Sequence, residues 1–261
     1  MHPLPSHRMP IFTPEDREHL RAELVADAQR DPNLSAAAHT GSMASSRLDR
    51  WSDVDLALRL TPNASRDQVA AEWTKRLYRQ HDAVAHVDVM RGATLFRVFL
   101  LKNTLQVDIA FWSHADFAAI GPNFQLAFGE ANPPQPSPPP NPHALIGMAW
   151  LYALHVRSSL ARGRVLQTDY MLSGMRNHVL ELACLRWGTV AYQGRGLDDL
   201  PLPERENAAA FIPKSLDPAE LQRAFQITMQ ALLEETAHVD AELERKLSGP
   251  LQEMVGIRGT H

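Results

Sequence analysis

Residues 39 to 60, "HTGSMASSRLDRWSDVDLALRL", hold the chemistry of the chain, a Gly-Ser pair at 41 and 42 and two aspartates at 53 and 55. The run that follows Asp53 alternates Val54, Leu56, Leu58 and Leu60 with Asp55, Ala57 and Arg59, so it reads as a strand with one apolar face. Side chains two apart on a strand share a face, which puts Asp53 and Asp55 side by side with Cα atoms about 7 Å apart. Two carboxylates so placed repel and raise each other's pKa unless a cation lies between them. Magnesium, with its octahedron of oxygen ligands, is the usual answer. A third acid, Asp108 in "LQVDIAFW", sits between apolar Val107 and Ile109 and so points away from the core. If its strand lies beside the first, three carboxylates meet, and such a trio can hold two metal ions about 3.5 to 4 Å apart for phosphoryl transfer. Without such a neighbour, Asp53 caps a turn and Asp55 is a solvated charge.

Gly41 can turn backbone N–H groups toward an anion, and the Ser42 hydroxyl adds a donor. "MASSRL" after them would open a helix whose N-terminus also favours phosphate.

The elements that must position these groups are legible from capping and periodicity. Thr13-Pro14 starts a helix through "EDREHLRAELVADAQR". "NLSAAAH" is a strand of small residues, "DVDLALRL" a firmer one, and "RDQVAAEWTKRLYRQH" a helix on the spacing of Val69, Trp73 and Leu77. Three strands follow, "AVAHVDVM", "TLFRVFLL" and "LQVDIAFW". The last two are joined by Lys102-Asn103-Thr104, a short polar break that reads as a hairpin in which Asn103 is able to take the left-handed conformation. The predicted class is α+β, a mixed sheet flanked by helices in a first domain over residues 1–130. "ANPPQPSPPPNP", seven prolines in twelve residues, is expected to be an extended linker over 131–142. Residues 143–261 then read as a helical bundle of three long helices, with 191–215 as a surface loop.

Composition bounds the partners. The chain has 26 Lys and Arg against 30 Asp and Glu, a net charge of −4, which disfavours a nucleic-acid backbone as substrate. A lone Cys184 excludes an internal disulfide, and no apolar run is long enough to span a bilayer. With no signal-peptide pattern at the N-terminus, a cytoplasmic location is expected. The histidines, His39, His86, His114, His143, His155 and His178 among them, are too scattered for a metal-ligand spacing.

The order strand, Gly-Ser, ten residues, Asp-x-Asp opening a strand, then a later single Asp on another strand resembles the polymerase-β-like nucleotidyltransferase superfamily. Within it the chain looks most like bacterial aminoglycoside and lincosamide nucleotidyltransferases, and "GSMASSRLDRWSDVDLAL" with "LQVDIAF" carries the match. That resemblance implies Gly41, Ser42, Arg47 and Ser52 as nucleotide contacts, and Asp53, Asp55 and Asp108 as ligands of two Mg2+ ions. It also implies that Asp108 helps deprotonate the acceptor. Met43, Ala44, Ser45 and Ser46 stand where many relatives carry a basic residue and a glycine, and Arg47 is the expected substitute. The implied reaction moves a nucleoside monophosphate, AMP from ATP, to a hydroxyl of a small molecule, an antibiotic among the candidates, and releases pyrophosphate. A protein side chain or a tRNA end as acceptor, and a catalytically silent nucleotide-binding or toxin–antitoxin module, are the competing readings.

In the helical half, Leu172, Met175, Val179 and Leu182 form a core stripe on one helix. Beside it run Tyr170, Gly174, Asn177 and Glu181, with Asp169, Ser173 and Arg176 one step around. Glu181 and Asp169 are candidate general bases, Asp169, Tyr170 and Arg176 candidate substrate contacts, and Gly174 is expected to leave room for a ligand.

Overall fold

A computed structural model describes residues 11–41, 49–119, 121, 123–135 and 138–256. The chain forms two compact units, Met1–Ser137 and Pro138–His261.

The first unit begins with α1 (Pro14–Arg30), whose N-terminus is closed reciprocally. The Thr13 hydroxyl accepts the Asp16 N–H at 3.1 Å and the Asp16 carboxylate accepts the Thr13 N–H at 2.9 Å. Strand β1 (Leu34–Thr40) and strand β2 (Val54–Leu60) follow, then α2 (Arg66–Gln80), β3 (Ala83–Arg91), β4 (Thr94–Leu101), β5 (Gln106–Trp112) and β6 (Phe124–Phe128). The six strands lie in the order β3-β4-β5-β2-β1-β6. All neighbours are antiparallel except β2 and β5, which run parallel. The sheet is therefore mixed and the class α+β.

Alternation sorts the two faces of this sheet. Val54, Leu56, Leu58, Val107, Ile109 and Phe111 pack with Leu20 and Leu24 of α1 and Val69, Trp73 and Leu77 of α2, and all are buried. Burial of each large side chain in that layer contributes about 1.5–3 kcal/mol, which makes it the main anchor of the register. On the opposite face the strands carry Ala36, Ala38, Ala57 and Ala110, a floor of small residues covered by Phe117. Arg59, 8% exposed, extends from β2 on that face and donates to the carbonyls of His114 and Glu130 and to Asn132 Oδ1. Residues 131 and 132, at the start of the proline-rich stretch, thus belong to the first unit, and Asn132 also bridges to Ala118.

Two details differ from the sequence reading. The left-handed residue of the β4–β5 turn is Thr104, at φ 69°, because Asn103 instead uses its side-chain oxygen to accept the Leu105 N–H at 3.1 Å. Strand β6 was not expected: Phe124, Leu126 and Phe128 do alternate with Gln125 and Ala127, but the run is only five residues long, none of them is fully buried, and its pairing with β1 is what defines it.

The second unit is helical: α3 (Pro142–Ala161), α4 (Val165–Trp187), α5 (Leu202–Ala210), α6 (Pro218–Val239) and α7 (Ala241–Gly256). Its core joins Ile146, Ala149 and Val156 of α3, Leu172, Met175 and Val179 of α4, and Phe225, Met229 and Leu232 of α6. The expected third helix is two, because Asp240 leaves helical geometry and its carboxylate caps the N–H groups of Glu242 and Leu243. The expected 191–215 loop contains α5, which has no buried residue and so no apolar stripe to read. Among the described residues no helix is long and apolar enough to cross a membrane.

Arg186 of α4 clamps this unit. It meets both oxygens of Glu235 on α6, at 2.7 to 3.2 Å, and Glu204 on α5 at 3.1 Å. These carboxylates hold the guanidinium pKa above its ordinary value. Glu235 is 6% exposed, so Glu235→Gln removes a charge that Arg186 keeps needing; a loss of about 2 kcal/mol is expected, readable in urea melts.

Candidate active site

The parallel pairing of β2 with β5 sets Asp55 directly opposite Asp108, with Val54 opposite Val107 and Leu56 opposite Ile109. Since the apolar residues on both strands point to the helices, both acids point to the other face, and Asp53 joins them from the residue just before β2. One carboxylate oxygen from each of Asp53, Asp55 and Asp108 lies within 4.8 Å of the others, and all three residues are half-buried. Opposed oxygens on one magnesium ion are about 4 Å apart, given ligand distances of 2.0–2.1 Å. An all-oxygen, partly solvated donor set of this span suits a hard divalent cation that retains water, so the residues fit the metal.

Gly41 follows β1 directly and lies against Asp55 of this trio. Its backbone is left-handed, at φ 65°, and a Cβ built there would collide with the Asp55 carboxylate. The bare Cα is thus what lets the Gly41 backbone and the acid share one place. Ser42 and Arg47 lie outside the described residues. Ser52 is buried, and its hydroxyl closes a turn: it accepts the Asp49 N–H at 3.0 Å and donates to Asp49 Oδ1 at 3.2 Å, while Asp49 Oδ1 also accepts the Trp51 N–H at 2.8 Å.

Two supporting residues escaped the sequence reading. Arg17, on the first turns of α1 and 3% exposed, donates through Nη1 to the Asp49 carbonyl and, at 3.2 Å, to the Ser52 carbonyl. It fixes both ends of the turn that delivers Asp53, and nothing local in the sequence marks a contact that spans 35 residues. Gln106 donates through Nε2 to Asp53 Oδ2 at 3.3 Å, which orients that carboxylate. Its position two residues before Asp108, hence on the same face, was the signal available. Groups that orient metal ligands typically change affinity or activity 10–100-fold when removed. Arg17→Met is therefore expected to weaken Mg2+ binding by roughly that factor, measured by calorimetric titration of the folded variant.

The candidates from the helical half lie in the second unit. Glu181 meets His178 Nδ1 at 3.2 Å through Oε2 and lines a cavity of about 330 Å³ with Asn177, Cys184 and Tyr192. Arg176 is half-buried and donates to Ser173 Oγ at 3.3 Å; burial pushes its guanidinium pKa down, and Asp169 opposes that. Tyr170 is exposed. The room expected beside Gly174 is filled, because the Tyr152 ring packs where a Cβ would stand. That close approach joins α3 to α4 and leaves no place there for a ligand.

No protein-family model matches the chain, and no curated protein sequence does. Among solved structures the chain is similar to an aminoglycoside 6-adenyltransferase from Bacillus subtilis, at 11% identity over 92% of this chain and 98% of that one, with a TM-score of 0.39. It is also similar to the Cid1 poly(U) polymerase, at 17% identity over 39% of this chain and 32% of that one, with a TM-score of 0.30.

Proposed function

We propose that the protein is a Mg2+-dependent nucleotidyltransferase that moves AMP from ATP to a hydroxyl of a small molecule and releases pyrophosphate. The observation that carries this reading is the trio Asp53, Asp55 and Asp108, gathered on one sheet face with the Gly41 backbone against it. In the proposed reaction the acceptor oxygen bonds to the α-phosphorus, the bond from that phosphorus to its bridging oxygen breaks, and pyrophosphate leaves with the electron pair. Two Mg2+ ions, when bound, supply charge neutralisation at the attacking and leaving oxygens.

The chain's own part is positioning. Asp53, Asp55 and Asp108 hold the cations. Gln106 sets the Asp53 carboxylate, and Arg17 sets the turn before it. Gly41, Ser42, Arg47 and Ser52 are assigned to the triphosphate, on the strength of their place in the Gly-Ser segment and the turn before Asp53. The acceptor proton is assigned to Asp108, or to Glu181 or Asp169 if the second unit binds the acceptor, for which Tyr170 and Arg176 are the proposed contacts. In this reading the first unit is the catalytic domain and the second, beyond the proline-rich stretch, the substrate-binding domain.

The test is a panel of hydroxylated small molecules, antibiotics included, incubated with the protein, ATP and Mg2+. Acceptor-dependent pyrophosphate release is expected. If ATP with Mg2+ neither binds nor yields pyrophosphate with any acceptor, the reading fails.

A further inference from the structure

The sheet ends at β3, and eight of that strand's nine residues are exposed, Val87 at 58% and Val89 at 41%. It contains no lysine or proline, and its bulge sits at the start, between Ala83 and Ala85, which leaves residues 85–91 regular. A regular edge with outward valines is a template for another strand. We propose that β3 pairs antiparallel with β3 of a second copy of this chain, about a two-fold axis through Val87 that continues the two sheets into one.

Geometry and charge choose the register. A two-fold axis perpendicular to the sheet keeps equivalent side chains of the two copies on the same side, so opposed residues differ by an even number and the axis must pass through a residue. Centred on Val87, the pairing sets Val87 against Val87 of the second copy and Ala85 against Val89 of the second copy on one face. On the other face it sets His86 against Asp88 of the second copy, twice. Each exposed valine then meets an apolar side chain, and each carboxylate meets an imidazole, cross-strand pairs of the kind that stabilise a ladder. Moving the axis one residue forward opposes Asp88 to its own copy, and one residue back opposes His86 to itself. The groups are available for this. Arg97 holds Asp88 in place through two bonds of 2.6 Å, and His86 meets Tyr78 through Nδ1 at 3.0 Å, which leaves its Nε2 for another partner.

The dimer would also order the acids. Asp55, Asp108, Val98 and Val87 are successive partners across β2, β5, β4 and β3. The proposed axis extends that row through Val87 into the second copy. The two trios then open to the same side of a continuous sheet, with five strand spacings, roughly 24 Å, between the two Asp108 residues.

Sedimentation equilibrium across a concentration series should give twice the 29.2 kDa chain mass for the full-length protein. Val87→Lys, at an exposed position, should halve that mass with an unchanged circular dichroism spectrum, and its melting point should lose the concentration dependence of the wild type. Under mild oxidation Val87→Cys should give a disulfide-linked dimer, Ala85→Cys and Val89→Cys alone should not, and the two combined should. Cys184 is buried and does not compete. A wild type that is monomeric throughout the series, a Val87→Lys variant that still dimerises, or a Val87→Cys variant that does not cross-link would each overturn the proposal.

Discussion

Asp55→Asn should lower nucleotidyl transfer by at least about a thousandfold while the protein stays folded. Asp55 faces Asp108 across β2 and β5, and its carboxylate is one of three that supply oxygens within 4.8 Å. Removing one charged ligand from such a set weakens the cation and the transition-state charge it offsets. A loss of several kcal/mol corresponds to three or more decades in rate. Stability should move the other way in the metal-free protein, because the substitution removes one of three mutually repelling carboxylates. The expected thermal midpoint of the apo variant is equal to or above that of the wild type, whereas Mg2+ should raise the midpoint of the wild type and leave the variant unmoved. A lower apo midpoint for Asp55→Asn would assign the trio a structural role instead, whatever the activity. Asp53→Ala should behave alike, with the added loss of the Gln106 bond.

The second large effect is expected at Gly41, where two penalties coincide. Its φ of 65° is a conformation that an L side chain adopts at a cost of about 1 kcal/mol, and the new Cβ meets the Asp55 carboxylate. The acid or the chain must move, so Gly41→Ala is expected to cost roughly 1–3 kcal/mol of stability and to reduce Mg2+ affinity and transfer at least tenfold. Gly92 separates the two penalties, since it has φ 59° and nothing within 4 Å of a built Cβ. Gly92→Ala should show the loss of stability alone. If both variants lose Mg2+ affinity equally, the contact between Gly41 and Asp55 is not what shapes the site.

Legibility in the sequence followed the range of the interaction. Thr13-Pro14 announced α1 because a cap is settled within four residues, and the alternation from Val54 to Leu60 announced β2 because one face is buried. The shared face of Asp53 and Asp55 is a property of any strand, so it was readable. That Asp108 belongs with them could be stated only conditionally, since periodicity says which way a side chain points and not which strand lies beside it. Arg17 lay beyond reach for the same reason: a buried guanidinium on α1 and two carbonyls of the 49–52 turn have no common local pattern. The Thr104 conformation was misassigned to Asn103 because both roles, side-chain acceptor and left-handed residue, suit asparagine, and it performs only the first. In the second unit the buried stripe of α4 was plain, but α5 and the break at Asp240 were not. The first buries nothing, and the second is one residue inside a pattern that continues in helical period on either side.

The parallel junction of β2 and β5 has a consequence for how the protein acquires its cation. Asp53 and the glutamine that orients it are 53 residues apart in the chain, and α2, β3 and β4 must all be laid down between them. During synthesis, or in a truncated chain ending before Gln106, Asp53 and Asp55 would stand as an open pair with no third arm. Cation uptake then reports completion of the sheet from β2 through β5, and a luminescent lanthanide in place of magnesium would time that closure during refolding.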